Sequence, residues 1–225
     1  MFVADPKEAP STDVSAVAAL DEPTRRRLYD HVARQTGPVS RDEAAEALGL
    51  ARPTAAFHLD RLAEESLLDV VYERRSGRTG PGAGRPAKLY KRSSKQVTVS
   101  LPERNYELAG RLLAQALEES EVTAEPVRTV LHRKAQELGR QLAGQGRSGV
   151  FDLLDGNGFE PRYDGDAIVL GNCPFHALAR DHTQTVCGMN LHLLRGVLVG
   201  LHEEGLQACL QPSPGHCCVR LQPVS

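Results

Sequence analysis

The chain has 225 residues, of which 40% are hydrophobic and 25% charged, and its formal net charge is −2. This is the composition of an ordinary globular protein with room for two small domains. No run approaches the length of an apolar membrane span, and the N-terminus lacks the basic and apolar regions of a secretory signal. We therefore expect a cytoplasmic protein whose five cysteines are reduced, metal-bound or redox-active rather than joined in a disulfide framework.

The N-terminal part predicts a short leader followed by two short helices. Residues 1–19 are expected to be a largely disordered leader. A helical pattern then begins at Pro23, a residue type favoured in the first turn of a helix. The next helix begins at Ser40, which forms an S-x-x-E capping box with Glu43, and Gly49 terminates it.

A third helical pattern starts at residue 52 and has two distinct faces. One face, predicted to lie in the core, carries Ala56, Leu59 and Leu62 or Ala63. The other face is predicted to contact DNA and carries small, polar and basic residues: Arg52, Thr54, Ala55, His58 and Arg61. Two short helices joined at a tight glycine turn are the layout of a helix-turn-helix, whose second helix enters the major groove. From the helices alone, a helical hairpin without a nucleic-acid role is an equal alternative.

The segment 69–95 favours the DNA-binding interpretation. It holds eight basic residues against two acidic ones: Arg74, Arg75, Arg78, Arg85, Lys88, Lys91, Arg92 and Lys95. Two strand patterns flank a glycine- and proline-rich tip, which predicts a basic β-hairpin, or wing. Arg78 and Arg85 at the tip are expected to enter a minor groove or clamp phosphates. We therefore predict a winged-helix DNA-binding domain over residues 20–95.

Three stretches of this domain carry a family resemblance. "LDEPTRRRLYDHV", "VSRDEAAEALGLARPTAAFHLDRLAEESLL" and the "GRPAKLY" wing resemble the winged-helix repressors of the ArsR and DeoR-like group. The resemblance implies a repressor that binds double-stranded operator DNA. Ala51 departs from it, because such proteins often have Ser at this position to cap the recognition helix.

Residues 96–148 predict a helical segment that contains two amphipathic helices. The first apolar stripe comprises Leu108, Leu112, Leu113 and Leu117, and the second comprises Val127, Val130, Leu131, Leu138 and Leu142. Because two-fold operators require two-fold proteins, we expect these helices to hold a homodimer. The alternative is that they only link the two halves of one chain.

Residues 149–225 are predicted to form a small α+β domain, so the overall fold class is α+β. All five cysteines lie in this domain. Cys173 follows a predicted strand, and Cys187 is predicted in the first turn of a helix, where the dipole favours a thiolate. Cys217 and Cys218 are predicted on a terminal strand, whose alternation allows only one of them to face a site. The face of Cys217 looks buried, which favours Cys217.

These cysteines suggest a metal centre. Thiolates are soft ligands for iron–sulfur clusters, zinc or copper(I). The sequence contains no C-x-x-C pair, and scattered single cysteines suit a cluster at least as well as a closed zinc site. The alternative from spacing alone is a set of buried, inert cysteines.

A second resemblance bears on this choice. "NCPFHALA", "VCGMNLHLL" and "PGHCCVRL" are similar to the C-terminal half of the SufR-type repressors, which hold an iron–sulfur cluster and control iron–sulfur assembly operons. The resemblance implies that Cys173, Cys187 and Cys217 or Cys218 are cluster ligands, with the cluster either [4Fe–4S] or [2Fe–2S]. The fourth ligand stays open between Cys209, His176, the second of the paired cysteines, or none.

The sequence therefore predicts a dimeric, cluster-sensing transcriptional repressor that is not an enzyme. The main alternative is a winged-helix regulator that senses zinc or thiol redox state. A more remote alternative is a thiolate enzyme built on Cys187 with His176 or His182, but neither a partner carboxylate nor an oxyanion motif supports it.

Overall fold

The computed structural model describes residues 10–74, 86–144 and 149–224, and it divides the chain into two compact units, Met1–Val99 and Ser100–Ser225. Both units mix helices with an antiparallel sheet. The elements of the first unit are α1 Pro10–Ala19, α2 Pro23–Ala33, β1 Val39–Ser40, α3 Arg41–Leu48, α4 Arg52–Glu64, β2 Leu68–Glu73 and β3 Ala87–Arg92. Within the described ranges, no helix is both long and apolar enough to span a membrane.

Local capping interactions set the helix boundaries of the first unit. Ser40 and Glu43 form the predicted capping box, with the Ser40 amide donating to the Glu43 carboxylate at 2.8 Å. Gly49 ends α3 in the left-handed conformation, at φ +64°, that favours glycine. Ala51 caps α4 without a side-chain hydrogen bond, as the sequence predicts. α2 has an unforeseen acidic cap, Glu22.

The cap at Glu22 is strongly ionised. Partial burial favours the neutral acid, but the backbone N–H groups of Thr24 and Arg25 donate to the carboxylate and lower the pKa of Glu22 to about 2. The negative charge lies at the positive end of the α2 dipole. The start of α2 is therefore fixed by a hydrogen-bonded carboxylate.

The expectation of a disordered leader over residues 1–19 is wrong for residues 10–19, which form α1. Ala16 and Ala19 are buried in the same apolar core as Leu28 of α2 and Leu59 of α4. The small side chains of "AVAAL" gave little amphipathic signal. They let α1 pack closely on the winged helix instead.

Asp60 connects α4 to the hairpin strand β3. Its carboxylate accepts hydrogen bonds from Lys88 at 2.5 Å and from the buried Tyr90 hydroxyl at 2.6 Å. β3 lies between β1 and β2 in the sheet, with Val70 opposite Tyr90. The base of the hairpin is thus held against the helix that is predicted to contact DNA.

The second unit surrounds a central helix with two further long helices and a four-stranded sheet. Its elements are α5 Tyr106–Thr123, α6 Val127–Gly144, α7 Val150–Asp155, β4 Pro161–Asp164, β5 Ala167–Leu170, α8 His176–Asp181, α9 Thr183–Gly200, β6 Leu206–Leu210 and β7 Val219–Pro223. The strand order is β4-β5-β7-β6. α5 and α6 belong to this unit rather than to a body of their own.

Small residues allow α6 and α9 to approach closely. A Cβ built on Gly196 of α9 would lie 2.9 Å from the carbonyl carbon of Gln136, and one built on Gly139 of α6 would collide with the backbone of Leu193. The His132 and His192 rings stack at 4.2 Å beside this crossing. Neither helix can shift at these contacts without moving the other.

The apolar stripe predicted for α5 is partly wrong. Ala109, Leu112 and Ala116 form the buried face, whereas Leu117 is about half exposed. The buried stripe uses alanines because α5 packs closely on α6, and alanine was not counted in the sequence pattern.

Candidate functional site

The exposed start of α4 forms the first candidate site. Its solvent-facing residues are Arg52, Pro53, Thr54, Phe57 and Arg61. The helix begins at Arg52 because Pro53 fits the first turn, and the uncapped Ala51 leaves N–H groups at this end free of a side-chain partner. Slim residues at the first turn and basic residues on the same face suit approach to base edges and phosphates.

Both arginines of this face are held by carboxylates. Asp42 of α3 binds the Arg52 guanidinium in a forked pair, with Nη2 to Oδ2 at 3.2 Å. Arg61 pairs with Glu64 at 3.1 Å and with Glu65 at 2.6 Å. The exposed pairs with Asp42 and Glu64 contribute about 0–1 kcal/mol each. Phosphates can therefore replace the carboxylates at little cost.

Two residues predicted to contact DNA do not lie on the exposed face. Ala55 is 0% exposed and packs in the core with Leu59 and Leu62, which were predicted there; at the start of the helix the core position is Ala55 rather than the predicted Ala56. The His58 side chain is only 14% exposed, and its Nδ1 lies 3.6 Å from the Glu22 carboxylate. His58 therefore joins α4 to the start of α2 instead of facing a groove.

Phe57 was not among the residues predicted to contact DNA. Its side chain is 65% exposed, one turn from both Thr54 and Arg61 on the outer face of α4. The sequence contained one indication of it, an aromatic residue that lies outside the helical spacing of the buried apolar residues. An exposed ring here can contact a thymine methyl group in the major groove.

The wing tip residues Arg78 and Arg85 lie outside the described residues. At the base of the hairpin, Lys88 is paired with Asp60, whereas Arg74, Lys91 and Arg92 are exposed. The described part of the hairpin therefore presents a basic surface suited to phosphate contacts.

The second candidate site lies in the second unit, where three segments bring four cysteines together. Cys173 comes from the loop after β5, Cys187 from α9, and Cys217 and Cys218 from the loop before β7. Cys173, Cys187 and Cys217 are buried. We call these four residues the cysteine centre.

The four sulfurs form two contacting pairs. Cys187 and Cys218 are joined in a disulfide. The thiols of Cys173 and Cys217 are hydrogen-bonded to each other. β7 begins only at Val219, so strand alternation does not apply to the adjacent cysteines, and both make sulfur contacts. The predicted position of both cysteines on the terminal strand is wrong for this reason, and the choice of one of them as a metal ligand stays a prediction.

The electrostatic environment differs between the two free thiols. The hydrogen bond from Cys217 lowers the pKa of Cys173 despite burial, with help from the Phe175 amide and the Arg104 guanidinium. The same hydrogen bond, burial and the Cys173 charge raise the pKa of Cys217. Cys173 is therefore the first of the pair to become a thiolate, the form that binds soft metals.

Cys187 does not lie at a helix start. α9 begins at Thr183, one turn earlier than predicted, so Cys187 is the fifth helical residue. The helix dipole falls off within the first turn and no longer accounts for a thiolate at this position. Burial on the inner face of α9 brings Cys187 to the centre instead.

The candidates for the fourth ligand lie at different places in the unit. His176 begins α8 and is exposed, and the Cys209 sulfur on β6 contacts the Arg220 carbonyl oxygen at 3.7 Å. Cys218 is the candidate that lies within the centre. Among the described residues, no group of three His, Cys, Asp or Glu side chains is arranged to hold a metal ion; the disulfide occupies two of the four sulfurs.

A buried amide beside the centre was also missed. Asn190 of α9 is 1% exposed, and its Nδ2 donates to the Cys217 sulfur at 3.2 Å. Its Oδ1 has no hydrogen-bond partner among the described residues. The sequence signal was a single asparagine within the apolar run "VCGMNLHLL".

Comparison with known families agrees with the first site. Residues 20–71 match the family model described as a helix-turn-helix domain. No curated protein and no solved structure matches the chain. The match confirms the predicted helix-turn-helix and supports a DNA-binding transcriptional regulator, a class that is generally not enzymatic.

Proposed function

We propose that this protein is a transcriptional repressor that holds an iron–sulfur cluster at its cysteine centre and controls iron–sulfur assembly genes in response to iron or oxidative stress. The observation that carries the proposal is the convergence of four cysteines from three separate segments within one unit. Buried inert cysteines have no need to gather in this way. The similarity of the cysteine segments to SufR-type repressors adds to it.

The residues of the centre fit such a cluster chemically. Cys173 and Cys217 would bind iron directly as thiolates, and Cys187 and Cys218 would do so after a thiol reductant supplies two electrons and two protons to their disulfide. A bound [4Fe–4S] or [2Fe–2S] cluster supplies sensitivity to oxygen and peroxide. A groove whose lining includes Gln211, His216 and Arg220 opens beside Cys217 and would give small oxidants a route to the centre.

The packing of α9 provides a path from the centre to the dimer helices. Cys187 lies on α9, and α9 crosses α6 where Gly139 and Gly196 leave no free space. When the sulfurs bind or release a cluster, the preferred position of α9 changes, and α6 must follow. The operator affinity then changes because the spacing of the two DNA-binding units changes.

The homodimer is part of the proposal. α5 exposes Val122, which is 87% exposed, and Leu117, while Tyr106 and Val127 are also exposed. A two-fold contact between these helices would cover this apolar surface. Light scattering should give a dimer for the full chain, and Leu117→Glu with Val122→Glu should give a monomer. A wild-type monomer at micromolar concentration that still occupies a palindromic site once would contradict the dimer.

A second function is favoured by the disulfide. A regulator in which Cys187 and Cys218 cycle between dithiol and disulfide would sense thiol redox state without iron, and zinc bound by the reduced thiols would serve a related sensor. DNA binding would be the same in all three cases.

A cysteine series tests the centre. Single Cys→Ser changes at Cys173, Cys187, Cys217 and Cys218 in anaerobically prepared protein should remove or strongly reduce the visible colour, because a hard hydroxyl replaces a soft thiolate. Cys209→Ser is the matched control and should keep the colour. Full colour in all four variants, or its loss only with Cys209→Ser, would overturn the assignment.

A further inference from the structure

We infer that Asn190 is a positioning residue of the cysteine centre: its side-chain N–H donates to the Cys217 sulfur and holds that sulfur as a metal ligand. This inference rests on the proposed function of the centre. It concerns a residue outside the cysteine set, and the geometry on which it stands is the 3.2 Å contact between Nδ2 and the Cys217 sulfur.

The two buried asparagines of the described chain differ in how their amides are satisfied. Asn172 donates to the carbonyl oxygens of Glu103 at 2.9 Å and Gly158 at 2.6 Å, and its Oδ1 accepts from Arg104. Asn190 has the Cys217 sulfur as its hydrogen-bond partner, and its Oδ1 has none among the described residues. Asn172 therefore stabilises the backbone around it, whereas Asn190 does not.

The burial of Asn190 is unfavourable for folding alone. A buried amide with a weak sulfur acceptor and an unpaired carbonyl costs free energy that an apolar side chain of the same size would not cost. Its neighbours in sequence, Met189 and Leu191, are buried apolar residues. An asparagine at this position thus needs a role that leucine cannot fill.

The helix geometry indicates that role. Cys187 and Asn190 are three residues apart on α9, so they lie on the same face one turn apart. The helix presents a sulfur and a hydrogen-bond donor to the loop that carries Cys217 and Cys218. Cys217 itself is buried, and besides Asn190 the Val219 backbone N–H would share the charge of a metal-bound thiolate there. N–H donors to ligand sulfurs tune such sites, and they orient the ligand.

The test uses Co²⁺ as a probe of the reduced full-length protein under anaerobic conditions. Competition with a chelator gives the affinity of wild type, Asn190→Leu, Asn190→Asp and the control Asn157→Ala, which removes a half-buried amide bonded to the Leu153 carbonyl. We expect Asn190→Leu to weaken Co²⁺ binding about 10–100-fold and the control to change it less than about twofold. Asn190→Asp should bind no more tightly than Asn190→Leu, because it has no N–H donor.

A second readout separates a role at the sulfur from a role in the fold. The metal-free Asn190→Leu protein should unfold at the same temperature as wild type or higher, since the amide it loses has an unpaired carbonyl and only a weak hydrogen bond to sulfur. Cluster-loaded Asn190→Leu should lose its colour in air several-fold faster than wild type.

The outcomes distinguish the inference from the proposed function. Wild-type protein that binds neither Co²⁺ nor a cluster would remove the proposed centre itself. Wild-type binding with an unchanged affinity for Asn190→Leu would leave the centre intact and overturn the role of Asn190. If Asn190→Asp binds Co²⁺ more tightly than wild type, the side chain at position 190 acts as an oxygen ligand to the metal, and the role of Asn190 as a hydrogen-bond donor is overturned. If Asn190→Leu is unfolded without metal, and so is Asn190→Ala, a smaller variant made to exclude a clash of the leucine side chain, the amide serves the fold and the inference is wrong.

Discussion

The ion pair between Asp42 and Arg52 is expected to compete with DNA. Both side chains are more than half exposed, and Asp42 lies on the side of α3 from which it reaches the start of α4. To contact a base or phosphate, Arg52 must leave this carboxylate. Asp42→Asn should therefore tighten DNA binding, whereas Arg52→Ala should weaken it.

The magnitudes follow from the exposure of the pair. Releasing an exposed ion pair contributes about 0.5 kcal/mol, and removing a negative charge about 8 Å from a phosphate contributes roughly another 0.5 kcal/mol in water. Asp42→Asn should therefore raise the affinity about fivefold. Arg52→Ala should cost about 1–3 kcal/mol at its base pair. In the Arg52→Ala background, Asp42→Asn should raise the affinity for DNA only about twofold, because only the contribution of the removed charge remains.

Fluorescence anisotropy at one fixed salt concentration measures these effects, with a duplex selected by the wild-type protein from a random pool. Arg180→Ala is the matched control, because Arg180 is an exposed arginine paired with Asp181 in the second unit. Its affinity should stay within about twofold of wild type. Weaker binding by Asp42→Asn, or unchanged binding by Arg52→Ala, would show that α4 does not contact DNA through Arg52.

Three further predictions concern single residues. Glu22→Gln should lower the free energy of unfolding by about 1 kcal/mol at neutral pH. The pKa of Glu22 is about 2 in the folded protein against an ordinary 4.5. In urea unfolding, the stability difference from wild type should therefore persist above pH 4.5 and vanish as the pH falls toward 2. Gly196→Ala should lower stability by about 1–3 kcal/mol in thermal unfolding, because its Cβ meets the Gln136 backbone, whereas Gly110→Ala, which meets nothing within 4 Å, should not. Phe57→Ala should weaken DNA binding about tenfold, since covering roughly 60 Å² of the ring contributes about 1.5 kcal/mol. Replacing the thymines of the operator by uracil should weaken DNA binding by wild type but not by this variant.

Local signals in the sequence predicted much of the fold. The capping box of Ser40 with Glu43 and the stop at Gly49 depend on groups a few residues apart, and both are present. Leu59 and Leu62 of α4 were predicted correctly as core residues, but Ala56 was assigned to the core in place of Ala55, because both alanines are equally small and only the tertiary core distinguishes them.

The cysteine centre could be predicted only in part. Segregation of the five cysteines pointed to the C-terminal domain, and the resemblance to SufR-type repressors pointed to Cys173, Cys187 and the terminal pair. The depth of Cys187 in α9 could not be predicted, because the polar residues of the first turn gave no apolar pattern. The contact of Asn190 with Cys217 joins residues 27 apart in sequence, and no local rule reports it.

The metal content of the full chain, purified without oxygen, tests the central claim most directly. Iron and acid-labile sulfide in comparable amounts, with visible absorption and free thiols at Cys187 and Cys218, are the predicted result. Stoichiometric zinc with no sulfide, or metal-free protein that retains the disulfide under reducing conditions, would contradict the cluster-sensing account and leave the DNA-binding domain unchanged.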